Sequence, residues 1–369
     1  MKIHDAFTRK RNEPFFISIS LLITAALACA LGSTVLKNST TPSQQAATSL
    51  PLPTRTENLV QVTVTSTASS VIGINALRSS FDLAIDPSSP NIIYVATDGS
   101  GVYKSLDGGN IWRPVNTGIS DLNVRSLAID PASPSTIYTG AINDVFKSTD
   151  GGAHWQAMDQ GLKPRTLILV LAIDPVTPTN IYAGTGFDGI YKSTDGGESW
   201  HAANTGLFAS IYDLAIDPVA PSKVYAIFHN GVARSVDGGS HWQITTPILP
   251  NETEFHALAI DPETPTTLYM ATDYFGIFKS TDGGRSWSSS HVGQVDAIAG
   301  ALLVDPTNPH IVYIGTEKGV FKSTDSAATW SLINPGQSHS YIYDLAFDPA
   351  TSTIFTAGFD GVCAIQQVK

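Results

Sequence analysis

The chain has 369 residues, of which 42% are apolar and 14% are charged. This composition is typical of a folded protein with a large core and excludes an intrinsically disordered chain. Its 32 Asp and Glu residues outnumber its 21 Lys and Arg residues, so the net charge is −11. Nucleic acids are bound mainly through clustered Lys and Arg, and this acidic balance therefore excludes nucleic-acid binding.

Residues 1–36 predict export across a membrane. A basic stretch from Lys2 to Arg11 precedes an apolar run of 22 residues, Phe15 to Leu36, with small residues near its end. A cleaved signal peptide has this pattern, but the run is also long enough for a membrane anchor, and Cys29 could carry a lipid. All three fates stay open. We expect a periplasmic or extracellular protein, secreted or held by its N-terminal helix, that touches a membrane only there.

Residues 37–57 are rich in Ser, Thr, Gln and Pro and hold almost no large apolar residue. Such a segment cannot bury a core, so it predicts a flexible linker. The folded body is expected over residues 58–369. If the signal is cleaved after Ala30, Cys363 is the one cysteine left, and its predicted strand favours a buried structural thiol.

Seven copies of one phrase divide the folded body into repeats of 43 or 44 residues. The phrase is Leu-Ala-Ile-Asp-Pro or a close variant, and its copies begin at Leu83, Leu127, Leu171, Leu214, Leu258, Leu302 and Leu345. An apolar–aromatic pair and a run like Gly-Val-Tyr-Lys-Ser follow each phrase, and in the first six repeats the motif Ser-x-Asp-Gly-Gly-x-x-Trp or a close variant comes next. These short β-branched and aromatic runs predict four strands per repeat, which is the size of a propeller blade. We therefore predict an all-β fold, a single seven-bladed β-propeller.

The seventh repeat ends after its third predicted strand and has no outer strand with a Trp. Upstream of the first repeat, Leu59 to Thr65 alternates Val with Gln and Thr, which predicts a strand without a blade of its own. We expect this N-terminal strand to complete the seventh blade. Pairing of the two chain ends would then close the ring and leave only short protected edges.

The repeated Ser-x-Asp-Gly-Gly-x-x-Trp motif has a structural explanation. A short carboxylate can accept backbone N–H bonds across a tight turn, the glycines allow positive φ, and the Trp ring can pack between sheets. In the sixth copy, Ser326 and Ala327 replace the two glycines. We assign a structural role to the aspartates of the six copies, Asp107, Asp150, Asp195, Asp237, Asp282 and Asp325.

These motifs resemble the Asp-box, or BNR, repeats of the sialidase-like propeller superfamily. Together with the other repeated phrases, they are most similar to the repeats of xyloglucan-cleaving glycoside hydrolases, of the sortilin ectodomain and of photosystem II assembly and stability factors. The resemblance covers residues 59–366 and implies the propeller fold. It does not imply one activity, because fold and function are separable.

Internal symmetry separates structural residues from candidate site residues. A residue that recurs in the blades serves the blade, which assigns a structural role to the cations Lys104, Lys147, Lys192, Arg234, Lys279 and Lys322. The loops after the second strands and between blades are expected on the face opposite the Asp boxes, and they are acidic and aromatic. There we predict the binding residues Phe81, Arg125, Asp188, Tyr212, His256, Asp273, Tyr274, Tyr343 and Asp360.

Three further carboxylates, Asp82, Asp213 and Asp344, each precede the repeated leucine of a blade. Glycoside cleavage uses two carboxyl groups at a set distance, so two of the three are candidates for an acid and base pair at the channel mouth. In the alternative interpretation they form hydrogen bonds to neighbouring strand ends, which their recurrence at one repeat position favours.

The enzymes that the repeats resemble differ from this chain in their motifs. Sialidases of the superfamily carry a Phe-Arg-Ile-Pro motif and an arginine triad, and the motif is absent here. Xyloglucan-cleaving enzymes use two facing propellers with a catalytic aspartate from each, whereas one propeller is predicted here. Photosystem II assembly factors share the layout of one exported propeller, but their arginine patch has no counterpart in this sequence.

We predict an exported, monomeric, non-catalytic propeller that acts as a binding or assembly module for a protein client or a polysaccharide. The alternative is a glycoside hydrolase, xyloglucanase-like or sialidase-like, acting on an extracellular polysaccharide. The nine histidines show no metal-ligand spacing, and the Gly-rich turns lack the following helix that phosphate binding requires. Neither a metal nor a cofactor is therefore expected.

Overall fold

The computed structural model of the protein describes residues 60–61, 79–207, 209–229, 231–245, 253–273, 275–290, 297–334 and 341–367. The predicted signal or anchor segment (1–36), the predicted linker (37–57) and Tyr274 lie outside the described residues. Within the described ranges, no helix has the length and apolar character needed to span a bilayer. The strands form seven antiparallel sheets, one for each sequence repeat.

Strand β1 precedes the repeats, and strands β2 to β17 belong to the first four of them. They are β1 (Val60–Gln61), β2 (Ser80–Ile85), β3 (Ile93–Thr97), β4 (Gly101–Ser105), β5 (Ile111–Pro114), β6 (Ser126–Ile129), β7 (Ile137–Gly140), β8 (Val145–Ser148), β9 (Gln156–Ala157), β10 (Ile168–Ile173), β11 (Ile181–Thr185), β12 (Ile190–Ser193), β13 (His201–Ala202), β14 (Ile211–Ile216), β15 (Val224–Phe228), β16 (Gly231–Ser235) and β17 (Gln243–Ile244).

Strands β18 to β28 belong to the last three repeats. They are β18 (Phe255–Ile260), β19 (Leu268–Thr272), β20 (Ile277–Ser280), β21 (Ser288–Ser289), β22 (Ala299–Val304), β23 (Val312–Thr316), β24 (Gly319–Ser323), β25 (Ser331–Leu332), β26 (Ile342–Asp348), β27 (Thr353–Gly358) and β28 (Gly361–Gln366).

Each sheet is one blade, and apart from β1 its strands run in sequence order from the central channel to the rim, as in β10-β11-β12-β13. The second strand of every blade is fully buried, because it lies between two neighbouring blades. The innermost strands of successive blades pack against one another, and β26 packs against β2. The first and seventh blades are therefore neighbours, and the predicted all-β, seven-bladed propeller is confirmed.

The Ser-x-Asp turns join the third and fourth strands, and their aspartates hold these turns by hydrogen bonds. In the third blade, Asp195 Oδ1 accepts the Ser199 N–H at 2.9 Å and the Ser193 hydroxyl at 2.7 Å. Hydrogen bonds, first of all that from the Ser199 hydroxyl, lower the pKa of Asp195 to about 2. Ser326 and Ala327, which replace the glycines in the sixth turn, adopt the same left-handed conformation, with φ of 58° and 71°.

A lysine, a tyrosine and the turn of the next blade form a clamp between neighbouring blades. The Tyr182 hydroxyl and the Lys192 ammonium both donate to the Gly238 carbonyl, at 3.0 and 2.9 Å. Lys192 Nζ also lies 5.0 Å from the centroid of the Tyr182 ring, and burial lowers the pKa of this lysine. The equivalent lysine bonds occur at Lys104, Lys147 and Lys279. These four recurring lysines therefore join the blades, as their recurrence predicts.

The Lys192→Met variant is expected to lose about 1–2 kcal/mol of unfolding free energy. Methionine keeps the apolar stem, but the charge-assisted hydrogen bond and the cation–π contact are lost. Urea unfolding followed by circular dichroism measures the change. The control is Arg165→Met, which removes an exposed cation and is expected to change stability by less than about 0.5 kcal/mol. Equal losses in the two variants would contradict the clamp.

Packing between the first and seventh blades closes the ring. Leu83, Trp112 and Phe355 share one hydrophobic cluster across this seam. The Leu83 N–H also donates to Asp344 Oδ2 at 2.8 Å, which links the two innermost strands. The seventh blade has three described strands, β26 to β28, as predicted, and Cys363 in β28 is buried.

The strand predicted to complete the seventh blade, Leu59 to Thr65, has a different neighbour in its described part. Val60 pairs with Trp112 and Gln61 pairs with Ile111, both in β5, the outer strand of the first blade. An edge strand presents free N–H and C=O groups in any blade, so β5 offers the same backbone pairing as β28. These two residues therefore extend the first blade and do not complete the seventh. The rest of the predicted strand lies outside the described residues.

Candidate functional site

The residue two positions before the repeated leucine lies at the mouth of the central channel. In β2, Ser80 pairs with Thr97 and Asp82 pairs with Ala96, so Phe81 forms a β-bulge between them. The same register shift occurs in β10, β14, β18, β22 and β26. A bulge redirects a side chain at the end of a strand. The residues at this position, in blade order, are Phe81, Arg125, Leu169, Tyr212, His256, Gly300 and Tyr343.

Four rings and one guanidinium form a continuous series across this mouth. Arg125 Cζ lies 4.4 Å from the centroid of the Phe81 ring, and the Phe81 and Tyr343 centroids are 5.3 Å apart. The Tyr343 and Tyr341 centroids are 4.9 Å apart, and those of Tyr341 and His256 are 6.0 Å apart. Such tilted and edge-to-face ring pairs attract each other. We call these five residues the aromatic arc.

Tyr341 is the member of the aromatic arc that sequence reasoning missed. Its ring packs over the backbone of Gly300, where a Cβ atom would lie 2.6 Å from Tyr341 Cε1. A side chain at position 300 would therefore collide with this ring and with the Ile342 carbonyl oxygen. Two features of the sequence could have predicted this role of Tyr341. Gly300 is the one residue at the bulge position that has no side chain. Tyr341 and Tyr343 are two positions apart in an extended segment, so their side chains point to the same side.

The aromatic arc is electrically neutral except at its arginine. Burial lowers the pKa of His256 and raises the pKa of Tyr341, so both groups are uncharged at neutral pH. Glu254 and Asp273 act on the pKa of both groups through their negative charges. Arg125 lies at the opposite end of the series. The mouth therefore combines an apolar centre with a basic end and an acidic end.

The other predicted binding residues lie outside the ring contacts of the aromatic arc. Tyr212 is 45% exposed at the mouth. Asp188, in the loop between β11 and β12, forms an ion pair at 2.6 Å with Lys163, which lies in the segment before β10. Asp273 is buried and Asp360 is exposed, both in loops on the mouth side.

The three candidate catalytic carboxylates accept hydrogen bonds from the backbone of neighbouring blades. Asp82 Oδ2 accepts the Leu127 N–H at 2.7 Å, which links the first and second blades. Asp213 makes the equivalent bond to Leu258 at 2.7 Å, and Asp344 makes it to Leu83. These are the bonds to neighbouring strand ends that the alternative interpretation predicted.

Burial raises the pKa of all three carboxylates, and that of Asp213 rises to about 7. The charge of Asp344 is the second cause of the raised pKa of Asp82, and the two side chains share a hydrogen bond. A retaining glycosidase keeps its two carboxyl groups about 5–5.5 Å apart, and an inverting one keeps them farther apart. Asp82 and Asp344 instead interact directly with each other, and each also binds the backbone of a neighbouring blade.

One cavity of about 270 Å³ lies on the mouth side, where the second and third blades meet. It is lined by Asn143, Asp144, Asp159, Leu162, Lys163, Pro164 and Arg165. Burial raises the pKa of Asp144, and the charge of Asp159 adds to the effect. Ligand cavities usually start near 300 Å³, so this one has room for little more than one sugar ring. Among the described residues, no group of three or more His, Cys, Asp or Glu side chains could hold a metal ion.

No model of a known protein family matches the chain, and no curated protein sequence matches it. Solved structures do. The GH74 enzyme of Niastella koreensis has a TM-score of 0.65 and 22% identity, over 79% of this chain and 53% of that one. YCF48 bound to a D1 peptide has a TM-score of 0.66 and 15% identity, over 84% of this chain and 100% of that one.

The extracellular domain of the putative one component system BT4673 from B. thetaiotaomicron is also similar, with a TM-score of 0.65 and 14% identity, over 82% of this chain and 40% of that one. The chain spans about half the length of the GH74 enzyme. Identities this low establish a shared fold and not a shared activity. The predicted similarity to xyloglucan-cleaving enzymes and photosystem II assembly factors is thus confirmed: the chain has the β-propeller fold found in GH74 enzymes and in YCF48.

Proposed function

We propose that the protein is an exported, non-catalytic propeller that binds a protein client or a glycan at the aromatic arc. The observation that carries this proposal is the contrast between two groups of mouth residues. The aromatic arc is a continuous series of rings at an open channel mouth, which is what ligand sites provide. The carboxylates available for catalysis accept hydrogen bonds that join the blades.

The similar structures support a binding role and leave two ligand classes. YCF48 was solved with a bound peptide, the BT4673 domain belongs to a signalling system, and GH74 enzymes act on carbohydrate. One fold therefore serves ligands of different chemistry, and the residues at the mouth decide which ligand binds. The basic and apolar pattern of residues 1–36 supports export, with residues 37–57 as a tether.

The full-length protein in detergent is expected to release no reducing ends from xyloglucan, from other plant or bacterial polysaccharides or from sialosides. The physical reason is that Asp82 and Asp344 bond to each other and to the backbone. The Asp82→Asn, Asp344→Asn double variant is the negative control, and the release of reducing ends measured with it is the background of the assay. Release by the wild type that this variant loses would overturn the proposal and establish a glycoside hydrolase.

A further inference from the structure

The G-F-D-G loop of the seventh blade, Gly358 to Gly361, presents an apolar side chain to solvent on the mouth side. Phe359 is 56% exposed. Its N–H donates to the Tyr341 carbonyl at 3.3 Å, so the loop is fixed to the aromatic arc. Gly361 closes the loop with a φ of 98°, a conformation that residues with a Cβ rarely adopt. The loop therefore holds the phenyl ring in a solvent-exposed position. Apolar side chains that anchor a binding partner are presented in this way.

The third blade carries the same four residues, Gly186 to Gly189. There Phe187 is 81% exposed, and Asp188 is neutralised by its ion pair with Lys163. The second and third blades also carry Arg125 and Arg165 on the mouth side. This half of the mouth thus combines both charges, and the two G-F-D-G loops lie in different electrostatic surroundings.

The half of the mouth around Phe359 is acidic. Glu254 and Glu317 are exposed there, and the charges of both raise the pKa of Tyr341 after the effect of burial. Asp273 adds to this effect. At Tyr343 the charge of Arg125 lowers the pKa more than that of Asp98 raises it, so the acidic side of the mouth ends before this tyrosine. Lys318 is the cation next to Glu317. We call the two exposed carboxylates of this half, Glu254 and Glu317, the acidic rim.

A neutral sugar could form hydrogen bonds to these carboxylates but would leave their charge uncompensated. A lysine or arginine side chain supplies donors and the opposite charge together. The ring planes of the aromatic arc are also tilted against one another by 57°, 57° and 75°. They do not form the flat platform on which consecutive sugar rings stack. Separate apolar side chains of a polypeptide fit such an uneven surface better.

We infer that the acidic rim and Phe359 bind a polypeptide segment in which a lysine or arginine stands beside a large apolar side chain. The cation lies among the carboxylates of the acidic rim, and the apolar side chain packs on the exposed phenyl ring. This inference rests on the proposed binding function and names its ligand class.

The test uses full-length protein in detergent and short fluorescein-labelled synthetic peptides, read by fluorescence anisotropy. The first peptide has two leucines, a lysine and an arginine among Gly and Ser. The second replaces both cations with Glu, and the third replaces both leucines with Ser. A xyloglucan oligosaccharide with the same label is the fourth probe. The basic, leucine-containing peptide is expected to bind at least about ten-fold more tightly than each of the other three.

Variants on the two faces of the propeller locate the site. The Glu254→Gln, Glu317→Gln double variant is expected to weaken binding of the basic peptide about ten-fold at low salt and less at high salt. Its matched control is Glu198→Gln, Glu263→Gln, which removes two exposed carboxylates on the opposite face. Phe359→Ala is expected to weaken binding about five- to ten-fold. Leu106→Ala, at a residue that is 64% exposed on the opposite face, is expected to leave binding unchanged.

Equal binding of the basic and acidic peptides, or equal effects of the two double variants, would overturn the inference. Binding of the oligosaccharide alone, weakened by Tyr343→Ala, would overturn the inference and leave the proposed binding function standing. If neither a peptide nor the oligosaccharide binds, the inference is wrong. The proposed function is then also wrong if no polysaccharide of the wider panel is retained by the protein.

Discussion

Replacing Trp200 with alanine is expected to lower the free energy of unfolding by about 3–5 kcal/mol. The side chain is 1% exposed and belongs to the cluster that joins the second and third blades, with Tyr138 and Leu171. Its Nε1–H donates to the Met158 carbonyl at 2.8 Å. The variant thus leaves a cavity between two sheets and an unpaired carbonyl. Urea unfolding followed by circular dichroism measures the loss, and a loss below about 1 kcal/mol would contradict this packing role.

Substitution of Trp200 by phenylalanine separates the contribution of the buried ring from that of the hydrogen bond. Trp200→Phe keeps most of the buried ring area and loses the hydrogen bond, so a loss of about 1–2 kcal/mol is expected. The sixth blade offers a matched control. Trp330 is 5% exposed, and its Nε1 has no hydrogen-bond partner among the described residues. Trp330→Phe is therefore expected to be the milder of the two substitutions, and the reverse order would contradict the assignment.

The repeats made the fold predictable, because strand patterns that are weak in a single blade recur at the same position in several blades. The outer strand β9 consists of Gln156 and Ala157, which are polar or small and exposed, and alone they predict no strand. Their position after Trp155, equivalent in six blades, predicts the strand. The structural role of Lys192 followed in the same way, since a residue required at every blade interface recurs at every repeat.

Features that occur once were harder to predict. Tyr341 fills the space above Gly300, and this contact depends on how two neighbouring blades face each other, which no repeated pattern encodes. The alternation of Val60 and its neighbours predicts a strand but not its partner, because the edges of two blades offer the same backbone groups. The hydrogen bond between Asp82 and Asp344 likewise arises only because the first and seventh blades meet when the ring closes.

The protein is expected to lose stability as the pH rises from 5 to 8. Burial raises the pKa of Asp213 from its ordinary value of 3.8 to about 7. Burial also raises the pKa of Asp82 and of Asp344, and the negative charge of Asp344 raises the pKa of Asp82 further. The folded state therefore holds protons that the unfolded chain has already released. This contribution to stability is complete below the unfolded pKa and is lost as the pH rises through the folded pKa.

The aspartates of the Ser-x-Asp turns give the opposite pH dependence at lower pH. Hydrogen bonds lower the pKa of Asp195, Asp237, Asp282 and Asp325 to about 2. Their contribution is present above the unfolded pKa near 4 and is lost as the pH falls towards 2. The two sets of groups together place the maximum of stability between about pH 4 and 6.

Asp213→Asn is expected to reduce the pH dependence between pH 5 and 8 by up to about 3 kcal/mol. Asparagine resembles the protonated carboxyl in shape and can still accept the Leu258 N–H, which Asp213 accepts at 2.7 Å. Urea unfolding at pH 5, 6, 7 and 8 measures the slope for both proteins. The remaining slope in the variant is expected from Asp82 and Asp344, which it retains.

Asp195→Asn is the matched control for this substitution. It removes a carboxylate whose pKa is lowered to about 2, so it is expected to destabilise the protein by a similar amount at every pH from 5 to 8. The two variants thus differ in how their effect changes with pH. An unchanged slope in Asp213→Asn would show that Asp213 does not hold the proton that is released in this range. A wild-type stability that stays constant from pH 5 to 8 would show that the channel carboxylates are already ionised in the folded state. The proton shared by Asp82 and Asp344 could then no longer explain how these two acidic groups lie together at the closing seam of the ring.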